Sequence, residues 1–487
     1  MKYKKIILLA ITVIATQTTY AQYLADALRF SQFQNSSTAR FDGLGGYKSA
    51  IGGDLSSLYG NPAGIGMFSK SEFNFTPSFK LRNNDVEFLK GNSTAANSNV
   101  DLNNIGVVFH SKTFKRNDLD KGLISLNLGI GYQKRNAFNN DFLFNGTTSS
   151  NGLGDFFAET ATAENAAQNN LSGALNGAAY DSFLIDEAAN DPTLYFPITS
   201  KNANQIQTIN RAGGSTSVDF SLGLNIGNKI FVGGGVGLAS FRYTSFEQTN
   251  ERGQFRFNNK DTNYDVDYNR NFDTEGSGLN LKLGLIIKPV NEFRIGLSFE
   301  SPTYFNVTDN YSEELINNID AIEGTDSFPF EYQLRTPSKL NGGLAYFFAD
   351  KGFISADIGF VNYSNINFSS DDSPTDLRTN RESRQNFQNV VNYSVGGEVR
   401  VQPSVMLRLG YQVQGNPYKN LSNSDFAIKS ISGGFGYRFS SYYLDMSLVN
   451  SNDRLLYSNY ALENGSEPLA TINTTRNSIN LTFGVRF

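Results

Sequence analysis

Apolar–polar alternation recurs along this chain, and the links between the alternating segments are short and long by turns. Together these two patterns leave few folds open. Phe73, Phe75, Phe79 and Leu81 begin the series. Ile124 to Tyr132, Val218 to Ile226, Leu279 to Ile287 and Val405 to Val413 repeat it, and Ile479, Leu481, Phe483, Val485 and Phe487 close it on the last residue. Such alternation puts every second side chain on one face of a β-strand. Counted through, it predicts fourteen strands. Links after even-numbered strands are expected to be short, about a dozen residues once and then roughly two to five. Links after odd-numbered strands run from roughly seventeen residues to about eighty. Tight turns at one end, long loops at the other and an even count describe an all-β, 14-stranded antiparallel transmembrane outer-membrane β-barrel. A soluble sandwich has no reason to sort its links this way. The barrel is expected over 69–487, with its longest outer loop at about 135–215. Pro77 and Pro337 fall in or beside strands, where each calls for a bulge or a break.

Composition agrees. The mean hydropathy of −0.34 is too polar for helical spans but suits strands that show lipid only alternate residues. Forty Phe and 24 Tyr without Trp supply barrel walls and interfacial girdles. A net charge of −5 argues against a nucleic-acid partner, and the absence of cysteine removes disulfides, thiolate metal sites and thiol nucleophiles. The single histidine, His110, falls on the lumen-facing parity of the second strand with no local serine–carboxylate signature, so it is expected to be a solvated lumen residue. No catalytic residue, metal or cofactor is predicted.

Lys2, Lys4 and Lys5, the apolar run from Ile6 to Ala15 and the small residues at Thr19 and Ala21 predict a secretory signal over 1–21, cleaved before Gln22. The next segment, 22–68, does not alternate. It carries Gly43-Leu44-Gly45-Gly46, Gly52-Gly53-Asp54 and Asn61-Pro62-Ala63-Gly64-Ile65-Gly66-Met67. Irregular backbone at membrane depth is tolerated only inside protein or a wet lumen, so this segment is expected to plug the barrel.

On these residues (Gly43, Gly45, Asn61, Pro62 and Ala63, in this order and directly before the first strand) the chain resembles the FadL/TodX family of outer-membrane transporters of hydrophobic compounds. The resemblance implies an N-terminal hatch in the lumen and passive import of a hydrophobic small molecule such as a long-chain fatty acid. It further implies capture by outer loops, movement of the hatch and sideways release into the bilayer. Membrane lipid, lipopolysaccharide and the barrel-assembly machinery are the other expected partners, with the chain a monomer and no nucleic acid bound. The last strand, ending in Phe487, resembles the signal by which such barrels are recognised for assembly. A structural or adhesive surface barrel whose loops bind a partner is the competing reading.

Candidate ligand-binding residues lie in the longest loop, where Phe156, Phe157, Phe183 and Leu184 form apolar clusters in a segment expected to face water. The Ala-rich run from Glu159 to Ala179 between them predicts a short helix. Pro77, Gly129 and Gly131 are candidates for a lateral opening, because proline removes a ladder donor and glycine permits a kink.

Overall fold

The computed structural model describes residues 17–32, 37–113, 121–149, 151–171, 174–200, 202–257, 260–319 and 322–487. The basic and apolar parts of the expected leader, Lys2 to Ala15, lie outside them.

Eighteen hydrogen-bonded segments form one antiparallel sheet, closed because the first strand pairs with both the second and the last. They make fourteen strands. The first two are β1, Glu72–Phe88, and β2, Gly91–Lys112. β3 is Leu123–Ala137, continued after a break as Asn140–Thr147. β4, Asn204–Ile226, β5, Ile230–Phe257, and β6, Lys260–Ile287, follow. β7 is Phe293–Glu300 with Tyr304–Asn317, and β8 is Glu323–Arg335 with Lys339–Phe347. β9 is Gly352–Asn362, β10 Asn389–Gln402, β11 Val405–Gln414 and β12 Ile428–Phe439. β13, Tyr442–Ser458, and β14, Leu469–Arg486, complete the ring. The remaining short segment, Asn367–Ser369, pads the edge of β8.

Closure leaves the sheet without a free first or last strand in the bilayer, and parity then divides the side chains. Leu409 is 72% exposed on the outside, whereas its neighbour Arg408 is 2% exposed inside. Phe220 and Asp219 repeat the contrast. Turns at one end are tight. Between β4 and β5, Gly227 and Asn228 both have positive φ (60° and 54°), the backbone of a two-residue type I′ turn.

The long-link end departs from the expectation. The link expected between the first two strands is instead strand, with a turn at Leu89-Lys90. β5 and β6 likewise extend as a ribbon out to Phe257 and Lys260. Beyond the bilayer both faces of a ribbon meet water or loops, so the apolar alternation fades while the ladder continues. The prolines behave as predicted. The β1–β2 register shifts between Thr76 and Pro77, and β8 breaks around Pro337, where Thr336 N–H donates to Thr303 O at 3.0 Å.

Inside the barrel lie helices α1, Gln17–Ser31, and α2, Ala39–Asp42. α1 crosses the expected cleavage point, so cleavage before Gln22 would leave its last ten residues, Gln22 to Ser31. The longest loop holds α3, Leu153–Glu164, α4, Ala174–Asp181, and a small hairpin of Ile185–Ala188 with Asp191–Pro197. The single helix expected over the Ala-rich run is therefore two, the first ended by Asn165 in the left-handed conformation (φ 52°).

Candidate functional site

The hatch is held by shape before it is held by bonds. Its chain runs so close to the wall that glycine is the residue that fits at the contacts. A Cβ on Gly223 of β4 would overlap Ile65 and Gly66, one on Gly233 of β5 would overlap Pro62, and one on Gly284 of β6 would overlap Asn61 Oδ1. Gly296 of β7 gives the same room to Ser49, and Gly396 of β10 and Gly410 of β11 to Leu44. These wall glycines form a belt on the lumen parity of successive strands.

Within the belt each predicted hatch residue has a definite place. Gly45 takes a positive φ of 82° against the Tyr411 backbone, and Gly43 packs on Gly434. Asn61 caps the short 3-10 helix Pro62–Met67: its Oδ1 accepts from Ala63 N–H at 3.1 Å. Its Nδ2 donates to Ser49 O at 2.6 Å and to the wall carbonyl of Leu285 at 3.3 Å. Ala63 is fully buried against Phe231 and Ile286. Two ion pairs add to this, Arg40 with Glu398 at 3.1 Å and Lys48 with Asp357 at 3.6 Å. His110 Nδ1 meets Asn127 Oδ1 at 2.8 Å, and Asn127 Nδ2 donates to the hatch carbonyls of Ile65 and Phe68. Ser71 Oγ accepts from the backbone of His110 rather than from its ring.

Above the hatch lies a cavity of about 360 Å³. Nine arginines and lysines line it against three carboxylates, together with Phe41, Phe138, Tyr243 and Tyr363. Most of these cations have an acid partner. Arg82 does not: among the described residues no carboxylate lies within 4 Å of it, and its Nη1 donates to the Asn139 carbonyl. Its ladder partner on β14 is Arg476, which pairs with Asp453 at 2.8 Å and whose Nε lacks an acceptor among the described residues. α1 packs into an aromatic cluster beside the cavity. Phe30 stacks on Phe241 at 4.0 Å, and Arg29 lies over the Tyr243 ring at 4.2 Å.

The loop candidates are placed otherwise than expected. Phe156, Phe157 and Leu184 are 5%, 1% and 0% exposed and form the core of a lid with Tyr268 and Tyr460. Secondary structure within the loop gave these side chains one another and the strand tops to pack on, so they are no open patch. Phe183 stays 37% exposed, stacked on Phe255 at 5.2 Å, and Leu194 and Phe196 of the hairpin are 48% and 43% exposed.

Of the lateral-opening candidates, Gly129 and Gly131 sit in an unbroken ladder, paired with β2 and β4. They give room to Leu58 and Tyr59 of the hatch. Pro77 does mark an irregularity: the β1–β14 pairing skips Thr76 and Pro77, and the hydroxyls of Thr76 and Thr482 meet at 2.7 Å. Sequence reasoning missed a larger departure. β2 and β3 pair from Lys112↔Ser125 up to Asn104↔Gln133 and no further, because β3 turns inward with β4. It also missed the glycine belt, which glycines on lumen parity could have signalled.

The family model described as outer membrane protein transport protein (OMPP1/FadL/TodX) matches residues 205–445. Among solved structures, the chain is similar to a Pseudomonas aeruginosa FadL homologue, with a TM-score of 0.56 and 12% identity over 93% of this chain and 98% of that one. It is also similar to the P. putida toluene transporter TodX, with a TM-score of 0.52 and 13% identity over 94% and 99%. At these identities the likeness is one of fold. No curated protein sequence matches.

Proposed function

This chain belongs to the OMPP1/FadL/TodX family and is an outer-membrane channel for hydrophobic compounds, and from that premise we propose that its cargo is an amphipathic molecule with an anionic head, such as a long-chain fatty acid. The cavity lining carries this reading: a pocket for a bare hydrocarbon needs no unpaired cation, whereas Arg82 offers its donors to a carboxylate with the free Nε of Arg476 beside it. The aromatic cluster around Phe30 and Phe241 suits the tail.

In the proposed route the exposed edge of the lid at Phe183, Leu194 and Phe196 takes up the molecule, which then passes to the cavity. Movement of the hatch and of α1, whose Phe30 fills the aromatic cluster, opens that cluster to the tail. Exit is sideways between β2 and β3 above Gln133, where the wall lacks a backbone ladder and the cavity reaches Gln133, Arg135 and Asn136. The test is uptake of radiolabelled oleate and of toluene by cells stripped of their own transporters. Expression of the chain should speed oleate entry, and Arg82→Ala should slow it about tenfold, the equivalent of losing roughly 1.4 kcal/mol of binding. Oleate entry no faster than in cells without the protein sinks the proposal, and faster toluene entry alone would remove the anionic head.

A further inference from the structure

We propose that Asp101 is the latch of the seam between β2 and β3; this rests on the lateral-release reading above. Above the Asn104↔Gln133 pair, β2 remains bonded to β1 up to the Phe88↔Gly91 turn, while β3 follows β4. The two ribbons face each other with no backbone pairing between them, and side chains span the gap. Asp101 of β2 accepts from Lys134 Nζ of β3 at 3.2 Å and from Lys80 Nζ of β1 at 3.4 Å. Higher up, Asn97 Nδ2 reaches Asp141 at 2.8 Å.

The physical difference from the rest of the wall is how such a closure opens. A ladder opens only by breaking several backbone bonds together, each leaving polar groups unmet in lipid. A carboxylate between two ammonium groups lets go by side-chain rotation. The side chains of Lys80, Asp101 and Lys134 are 16%, 12% and 15% exposed, shielded enough to hold and wet enough to exchange. An anionic head arriving from the cavity competes with Asp101 for the same two cations, so cargo of the proposed class itself loosens the latch. The apolar Leu102, 39% exposed, stands at the lipid side of the seam, and Ile130, 38% exposed, lies on the paired ladder just below it.

The chain has no cysteine, so a pair of thiols can be placed cleanly. Asp101→Cys with Lys134→Cys is bridged by a short bis-methanethiosulfonate, and oleate uptake is followed before bridging, after it and after reduction. A matching bridge at Leu81→Cys with Ser98→Cys, a pair the β1–β2 ladder already holds, is the control. The latch predicts an uptake loss of about tenfold on bridging the seam, recovery on reduction and little change in the control. Uptake through a fully bridged seam within about twofold of the open variant overturns it, as does equal loss in the control. Should the double variant fail to assemble, Asp101→Asn and Lys134→Gln are measured singly: faster entry supports the latch, unchanged or slower entry overturns it. A wild-type chain that moves no oleate sinks the transport reading instead, and is distinguished by failing before any bridge is made.

Discussion

Gly284 stands where one methyl group decides whether Asn61 can lie against the wall. Its lumen parity was legible in the alternation of Leu279 to Ile287, but nothing in the sequence says which segment comes to rest there. The partner lies far earlier in the chain: Asn61 bonds the Leu285 carbonyl across a separation of 224 residues. Overpacking at such a contact costs roughly 1–3 kcal/mol. Gly284→Ala should therefore loosen the hatch, seen as faster proteolysis between residues 37 and 68, while heat-modifiable migration shows the barrel intact. Gly234→Ala, whose Cβ would find its nearest neighbours at 3.8 Å and 3.9 Å, is the matched control and should change neither. Asn61→Ala removes the cap and two donated bonds, leaving acceptors unmet at a cost of roughly 1–3 kcal/mol. Hydrogen exchange slower than or equal to wild type at Ala63 would contradict that.

Elements show where period-two reasoning stops being informative. It located the lipid-crossing part of each strand, because lipid demands an apolar residue at every second position. It missed the outer halves of β1, β2, β5 and β6, where the ladder continues without that demand. It also took Phe156 and Phe157 for an exposed patch, because a loop sequence does not reveal its own packing. In the lid Phe157 meets the Tyr268 ring edge-on at 5.5 Å. Phe157→Ala should cost about 3–5 kcal/mol of local stability. The expected sign is loss of exchange protection across α3 and the hairpin with the barrel ladder unaffected. Phe183→Ala should do the reverse, keeping lid protection but slowing oleate entry at low concentration. Unchanged entry would remove the Phe183 edge from the capture step.

At the scale of the molecule, barrel and hatch are separable in their strand ladder but not in their lumen. The ring closes through the β1–β14 ladder, to which no hatch backbone group contributes a strand pair. The barrel is therefore expected to assemble without the hatch. The lumen would not stay the same, because Glu398 and Asp357 face Arg40 and Lys48 of the hatch and the glycine belt would face water. These pairings join residues more than three hundred positions apart, which is why the sequence announced a plug but not its wiring. Ser298 lines the cavity and is 3% exposed, so Ser298→Cys reports on the seal. With the hatch present, a bulky charged maleimide should label this thiol slowly in detergent-solubilised protein. Deleting 22–68 should speed labelling about tenfold or more, because opening the plug is then no longer required. The lid still covers the other end in that variant, so fast labelling would assign the seal to the hatch. Equal rates in the two proteins would assign it to the lid, and hatch movement would drop out of the transport route.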